Sequence, residues 1–175
     1  LPNKKDEEFL KINFDALFSY DFKEHKSYEI DIMGLKTIED TSSYESLLFD
    51  ITRSVDKTQK ILRINKNIPE PIFIIHKIKE DETFFTNSLK IELSADIKAQ
   101  IVEVFVSSCK NSAYSVNRTF ELEENSELEY VRIQDFDASN SLIFNALIKQ
   151  EESSNVDFTN FEYGDGFILN NFINN

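Results

Sequence analysis

Phe120-Glu121-Leu122-Glu123-Glu124-Asn125-Ser126-Glu127-Leu128-Glu129-Tyr130-Val131-Arg132-Ile133-Gln134-Asp135 reads as two strands joined at a polar corner. Phe120 and Leu122 alternate with Glu121 and Glu123. Beyond the corner, Leu128, Tyr130 and Arg132 alternate with Glu129, Val131 and Ile133. A period of two puts one set on a buried face and the other on a face that can be wet. The corner supplies Asn125 and Ser126, residue types that bond to their own backbone and, for Asn, tolerate the left-handed region.

The same texture extends outward from this segment. Short β-rich stretches follow at Ile61–Ile64, Ile72–Ile78, Phe84–Leu93, Gln100–Ser107, Ser115–Leu122, Leu128–Gln134, Leu142–Ile148, Val156–Tyr163 and Phe167–Ile173. They recur about every 10 to 15 residues, a spacing open to a sandwich, a barrel or a β-solenoid. Sandwiches and barrels turn through tight hairpins, which favour Asn-Gly or Asp-Gly. Asp165-Gly166 is the only such pair, and the chain has just 3 Gly and 3 Pro. A weak self-similarity links Lys90-Ile91-Glu92-Leu93, Phe120-Glu121-Leu122-Glu123 and Glu127-Leu128-Glu129-Tyr130. Repeated units that bury one face against the next are the mark of a solenoid. The 16 Phe and 6 Tyr suit strands, where a rigid ring packs on a pleated face.

Residues 1–59 read differently, as a small mixed α/β region before the 60–175 core. Phe9, Leu10, Phe14, Leu17 and Phe18 fit a helical stripe over Asp6–Phe18, with Pro2 near its start. A second helix is expected within Ser43–Val55, with Leu47, Leu48, Ile51 and Val55 on one face and Ser42 or Ser43 as cap.

Charge and composition narrow the function. A net charge of −13 repels phosphate backbones, so nucleic acid is not an expected partner; basic protein surfaces are. No apolar run approaches the length of a membrane span, and Leu1–Glu8 lacks the apolar stretch of a signal peptide. The expected location is the cytoplasm. Cys109 is the single cysteine, so no internal disulfide forms.

Two residues are candidate metal ligands. Cys109 lies in Ser107-Ser108-Cys109-Lys110-Asn111, where Lys110 can lower the thiol pKa and make a thiolate suited to iron. One thiol does not hold an iron–sulfur cluster, which takes about four ligands. His76 ends the apolar run Ile72–Ile75, as a ligand or as a structural hydrogen bonder; His25, among charges, reads as solvated. Glu121, Glu123, Glu127 and Glu129 alternate with core positions, so they make a wet strand face and not a converging acid–base pair. Phosphate-binding glycine loops, zinc signatures and nucleophile triads are missing from the sequence. No catalytic residue is assigned and an enzyme is not expected.

The opening segment resembles the "E-L-x-L-x-E-N-A-x-L-E-Y-x-R-x-Q" signature of the SufB/SufD family of iron–sulfur cluster assembly scaffolds. Three further stretches are similar to that family in the same order: Leu1–Phe9, Ile68–His76 and Tyr163–Asn171. The D-type member is the closer match. Phe9 stands where the family has Trp, and Leu169 where it usually has Arg. The resemblance implies an all-β fold, a right-handed parallel β-helix after the mixed N-terminal region. It also implies a SufD-like scaffold subunit of a SufBCD complex, supporting cluster assembly and iron entry without catalysis of its own. The implied partners are a SufB-like subunit and a SufC-like ATPase. No cofactor is expected to be held firmly by this chain; the iron–sulfur cluster belongs to the parent complex. Family members continue into a helical domain that docks on the ATPase, and the sequence stops at Asn175 before it. If Asn175 is the true terminus, the open last rung is expected to self-associate through its terminal strands. The rival reading is an acidic β-solenoid that binds an oligosaccharide or a protein. Exposed aromatic rows on one face would mark the oligosaccharide binder.

Overall fold

Strands form wherever inward apolar residues recur at every second position, and the chain turns where Asn, Asp, Ser or Glu accepts a left-handed backbone. The computed structural model describes residues 22–27, 35–40, 46–78 and 80–174. The expected Asp6–Phe18 helix, the Leu1–Phe9 stretch, and Ser42 and Ser43 lie outside these. In chain order the described elements are β1 (Glu24–Ser27), β2 (Lys36–Glu39), α1 (Leu47–Arg53), β3 (Thr58–Ile64), β4 (Ile72–Ile78), β5 (Thr83–Leu93), β6 (Lys98–Ser107), β7 (Ala113–Leu122), β8 (Glu127–Phe136), β9 (Ser141–Gln150), β10 (Asn155–Gly164) and β11 (Phe167–Asn174).

From β3 onward successive strands alternate between two parallel sheets, so the chain coils into a β-solenoid. The first sheet runs β11-β9-β7-β5-β3 and the second β10-β8-β6-β4. Phe84 pairs with Ala113, Ala113 with Ser141 and Ser141 with Phe167, so successive coils take 29, 28 and 26 residues. The described elements before β3 dock onto the first sheet. β1 pairs parallel with the start of β5, and β2 pairs antiparallel with β3. The Lys90–Leu93 and Thr119–Leu122 stretches lie side by side in register, which accounts for their similarity; Glu127–Tyr130 belongs to the other sheet.

The corners explain how so few glycines suffice. Asp96, Asn125 and Ser153, one coil apart, all have φ near +58 to +59°. Asp96 N–H donates to Glu124 O and Asn125 N–H to Glu152 O, at 3.0 and 3.1 Å, so each corner hangs on the next. Asn125 Nδ2 also donates to Asp96 Oδ1 at 3.3 Å. Where the last coil shortens, glycine is needed. Gly164 has φ +81°, and a Cβ there would lie 2.0 Å from Phe136 O; at Gly166 a Cβ would lie 2.5 Å from Phe136 Cβ. The two-residue corner Asp165-Gly166 is drawn that tightly onto the coil below.

Between the sheets, Ile91, Ile101, Val116, Phe120, Leu142 and Phe144 are buried in one cluster. Phe120 meets the rings of Tyr130 and Phe158 edge-on at 5.0 and 5.1 Å. On the outside of the first sheet sits α1. Ser46, not Ser42 or Ser43, caps it: its Oγ accepts from Leu48 N–H at 3.3 Å. Its buried residues are Leu48, Phe49 and Thr52, while Leu47 is 44% exposed. The expected apolar face is therefore corrected. The sheet surface beneath the helix mixes Ile143, which packs on Leu48, with Ser115, Asn117 and Asn145, so Thr52 takes a buried place and its Oγ1 meets Ser115 Oγ at 2.8 Å. Asn117 and Asn145, paired one coil apart, donate to Phe49 O and Leu48 O of the helix. Asn171 continues this ladder by donating to Asn145 Oδ1 at 3.2 Å.

Asn125→Val forces a β-branched residue into the left-handed region and costs about 1–2 kcal/mol. Asn125→Gly keeps the backbone freedom and stays within about 0.5 kcal/mol of the wild type. Urea unfolding midpoints distinguish the two. Equal losses would place the cost in the Asp96 hydrogen bond and not in the backbone.

Candidate functional site

The alternation that buries Ala99, Ile101 and Phe105 on β6 also carries Glu103 inward. On β7 the set Tyr114, Val116 and Phe120 carries Arg118 inward in the same way. The two charges meet inside the solenoid with side chains 0% exposed. Arg118 Nη2 donates to Glu103 Oε1 at 2.5 Å and Nε donates to both carboxylate oxygens at 3.0 and 3.3 Å. Arg118 Nη1 donates to Asn87 Oδ1 at 3.1 Å and Asn117 O at 2.9 Å. His76 Nε2 lies 2.6 Å from Glu103 Oε1, and Tyr130 Oη donates to Glu103 Oε2. A buried ion pair survives desolvation only when its remaining lone pairs and protons are satisfied in this way.

The same surroundings set the protonation states. Burial alone would raise the Glu103 carboxyl, but Arg118 and His76 hold it far below the usual carboxylate range. Burial pushes His76 down, and Glu103 offsets this only in part. His76 is therefore a neutral donor, its ring stacked on Phe105 at 4.2 Å between centroids. Burial and the Glu103 charge push the Tyr130 phenol well up.

One coil on, Arg132 stacks in register on Glu103. Its guanidinium lies 4.2 Å from the centre of the Phe144 ring. Nε donates to Gln134 Oε1 at 2.7 Å, and Nη2 to Asn170 Oδ1 at 2.7 Å and Glu162 Oε1 at 3.3 Å. Polar groups thus thread the interior from β4 to β11. The sequence reading placed Arg132 with Leu128 and Tyr130 but missed Glu103 and Arg118. The signal was available: one opposite charge on the apolar parity of two consecutive strands.

The structure takes the two candidate ligands to different settings. His76 is inward, at the buried ion pair. Cys109 is at the corner between β6 and β7 and only 2% exposed, within the apolar cluster. Burial pushes its thiol up, and the nearby Asp81 and Glu80 add to this. The expectation that Lys110 lowers the thiol is corrected: Lys110 is exposed and its N–H donates to Asp81 Oδ1 at 2.8 Å. Cys109 is tied in by its backbone, where its O accepts from Asn140 Nδ2 at 2.8 Å. Among the described residues no group of three or more His, Cys, Asp or Glu is arranged to hold a metal ion. His25 is exposed on β1, its ring edge-on to Phe22 and Phe84.

Two outer faces remain. On the first sheet, Arg63, Glu92, Glu121 and Lys149 pair in a row across β3, β5, β7 and β9, with Lys90 bridging Glu92 and Glu121. Of the alternating glutamates, Glu121 lies in this row, Glu123 is exposed at the corner, and Glu127 and Glu129 are exposed on β8 of the second sheet. In the middle of the second sheet two outward rows are mostly apolar and in register, between charged rows toward the strand ends. One row is Ile75–Val104–Ile133–Phe161 and the next is Phe73–Val102–Val131–Thr159. Phe73 and Ile75 are 58% and 52% exposed, Phe161 and Tyr163 45% and 56%. Among the described residues no helix is long and apolar enough to cross a membrane.

Glu103→Leu leaves Arg118 as an uncompensated buried charge and costs about 3–5 kcal/mol, whereas Glu103→Leu with Arg118→Leu recovers most of that loss. Urea unfolding of both variants measures it. The sign of the pH effect follows from the depressed His76: the unfolded chain takes up its proton near pH 6.5 and the native one resists it. Stability is full above about pH 6.5 and falls below it by up to about 1.4 kcal/mol per pH unit. His76→Gln flattens that stretch of the profile. The Glu103 contribution is present above about pH 4.3 and is lost only as pH falls below it.

Comparison with family models, with curated proteins and with solved structures finds no match to this chain.

Proposed function

We propose that this chain is a scaffold subunit of the SufB/SufD type, closest to the D-type, serving iron–sulfur cluster assembly without catalysis of its own. One observation carries the reading. The segment that resembles the family signature, Phe120–Asp135, forms the end of β7, a left-handed corner at Asn125, and β8, in consecutive coils of a parallel β-solenoid. That is the architecture the resemblance implies.

The mechanism is positional. Eight strands, β4 to β11, stack in unbroken register around an interior tied by Glu103, Arg118 and Arg132. Such a stack holds partner surfaces at fixed separations. Iron and sulfur are the cargo of the assembled complex, whose other members are a SufB-like subunit and a SufC-like ATPase in the cytoplasm. Cys109 is buried with a raised thiol, and His76 bonds to Glu103, so both serve the scaffold's interior.

Tagging the native gene and identifying co-purified proteins by mass spectrometry is expected to recover both partners. Deletion of the gene is expected to lower the activity of cluster-dependent enzymes. Recovery of neither partner, with cluster enzymes unaffected by deletion, overturns the reading.

A further inference from the structure

We infer that the outer face of the β4–β6–β8–β10 sheet is a seat for one helix of a partner protein, amphipathic with lysine or arginine flanking its apolar stripe. The inference rests on the scaffold reading only for the existence of a partner. Its own ground is the face. A strand face that meets water ordinarily carries polar residues, with the apolar set turned to the core. Here four strands place Ile75, Val104, Ile133 and Phe161 side by side, with Phe73, Val102 and Val131 beside them; in the row on the other side Asp135 lies between Val106 and Tyr163. Ordinary monomer surfaces keep contiguous apolar patches small, and larger ones rimmed by polar groups mark interaction sites.

Dimensions and charge select the occupant. Four strands at about 4.8 Å spacing span about 14 Å, and three outward rows along the strands span about 13 Å. One α-helix, about 10–12 Å across, covers that area. The flanks are acidic. Glu127, Glu129 and Asp157 border the rows at the strand starts, and Asp135, Asp137 and Asp165 at the strand ends; all are exposed. Among the described side chains, Lys98 pairs with Glu127 and Lys110 lies near Asp137, so Glu129, Asp135, Asp157 and Asp165 carry the acidic border. An apolar centre between acidic borders complements an apolar stripe between basic ones. A second copy of this chain would bring acid against acid, on top of a net charge of −13 each. Anionic lipid headgroups meet the same repulsion. Sugars stack on aromatic rings, and here the central strands β6 and β8 offer only aliphatic side chains, with aromatic ones confined to β4 and β10.

The test uses the 175-residue chain and a fluorescent synthetic helix with a leucine stripe flanked by lysines, followed by anisotropy. Two control peptides carry glutamate flanks or a serine stripe. The triple variant I75T/I133T/F161T keeps β-favouring residues on the outward face, and circular dichroism verifies its fold. Expected are binding of the leucine–lysine peptide by the wild type and a loss of about tenfold or more in the triple variant. Asp135→Asn with Asp157→Asn is expected to weaken binding about threefold and to flatten its salt dependence. Glu123→Gln with Glu152→Gln, equal in charge change but on the corner, leaves affinity unchanged. The inference is overturned if the triple variant binds as tightly as the wild type, or if the glutamate-flanked peptide binds equally well. It is also overturned if the wild type, and not the triple variant, sediments as a dimer, since the occupant is then a second copy. In the tagged native gene, a triple variant that keeps its partners overturns the seat and leaves the scaffold reading standing. A wild type that recovers neither scaffold partner and whose deletion leaves cluster enzymes unaffected, yet that binds the lysine peptide through this face, overturns the scaffold reading alone.

Discussion

Parallel pairing in unbroken register constrains everything else in this molecule. Each strand must return to lie on the strand one coil earlier, so a residue's environment is decided by the residues 28 or 29 positions before and after it. Inward stacks on inward and outward on outward. A slip of one residue would turn the whole apolar set to water. The corners enforce the return: Asp96, Asn125 and Ser153 repeat one left-handed geometry and bond to one another through the backbone. The last coil meets the same demand with two fewer residues, which only glycine at positions 164 and 166 allows.

The interior pairs follow from that register. Glu103 and Arg118 lie at inward positions of consecutive strands in the two facing sheets, so folding has no alternative to burying both. The cost is contained because Asn87, Asn117, His76 and Tyr130 complete the hydrogen bonds of the pair. A buried pair of this kind is weak evidence for stability, since apolar residues of similar volume often do as well. It does couple strands β4, β5, β6, β7 and β8 through one carboxylate and one guanidinium. For a scaffold, whose work is to hold surfaces at fixed places, such coupling of successive coils is a relevant property.

The two outer faces show how differently register can be used. Across the first sheet it aligns Arg63, Glu92, Glu121 and Lys149 into a row of ion pairs, with Lys90 bridging the two glutamates. Across the second it aligns isoleucine, valine and phenylalanine into an exposed apolar row. Repetition along a solenoid multiplies whatever a single strand presents, so a modest bias toward valine and isoleucine at outward positions becomes a surface. The proposed function draws on that property, as a body whose long faces, and not a cleft, meet its partners.

The sequence alone determined the strands, because period-two alternation and polar corners are local signals. The stretches Phe84–Leu93, Gln100–Ser107 and Leu142–Ile148 each became a strand with ends shifted by no more than two residues. It also determined the outward place of the alternating glutamates and the choice of Asn, Asp and Ser for the corners. For α1 it determined existence but not detail. Its buried residues answer to Ser115, Asn117 and Asn145, dozens of positions away, which no local pattern reveals. Only the tertiary structure decided that Cys109 is buried with a raised thiol, that His76 serves Glu103, and that outward rows from four strands align into one largely apolar face. Those outcomes depend on which residues lie one coil apart, and that is set by corner geometry and coil length, not by any neighbour in sequence.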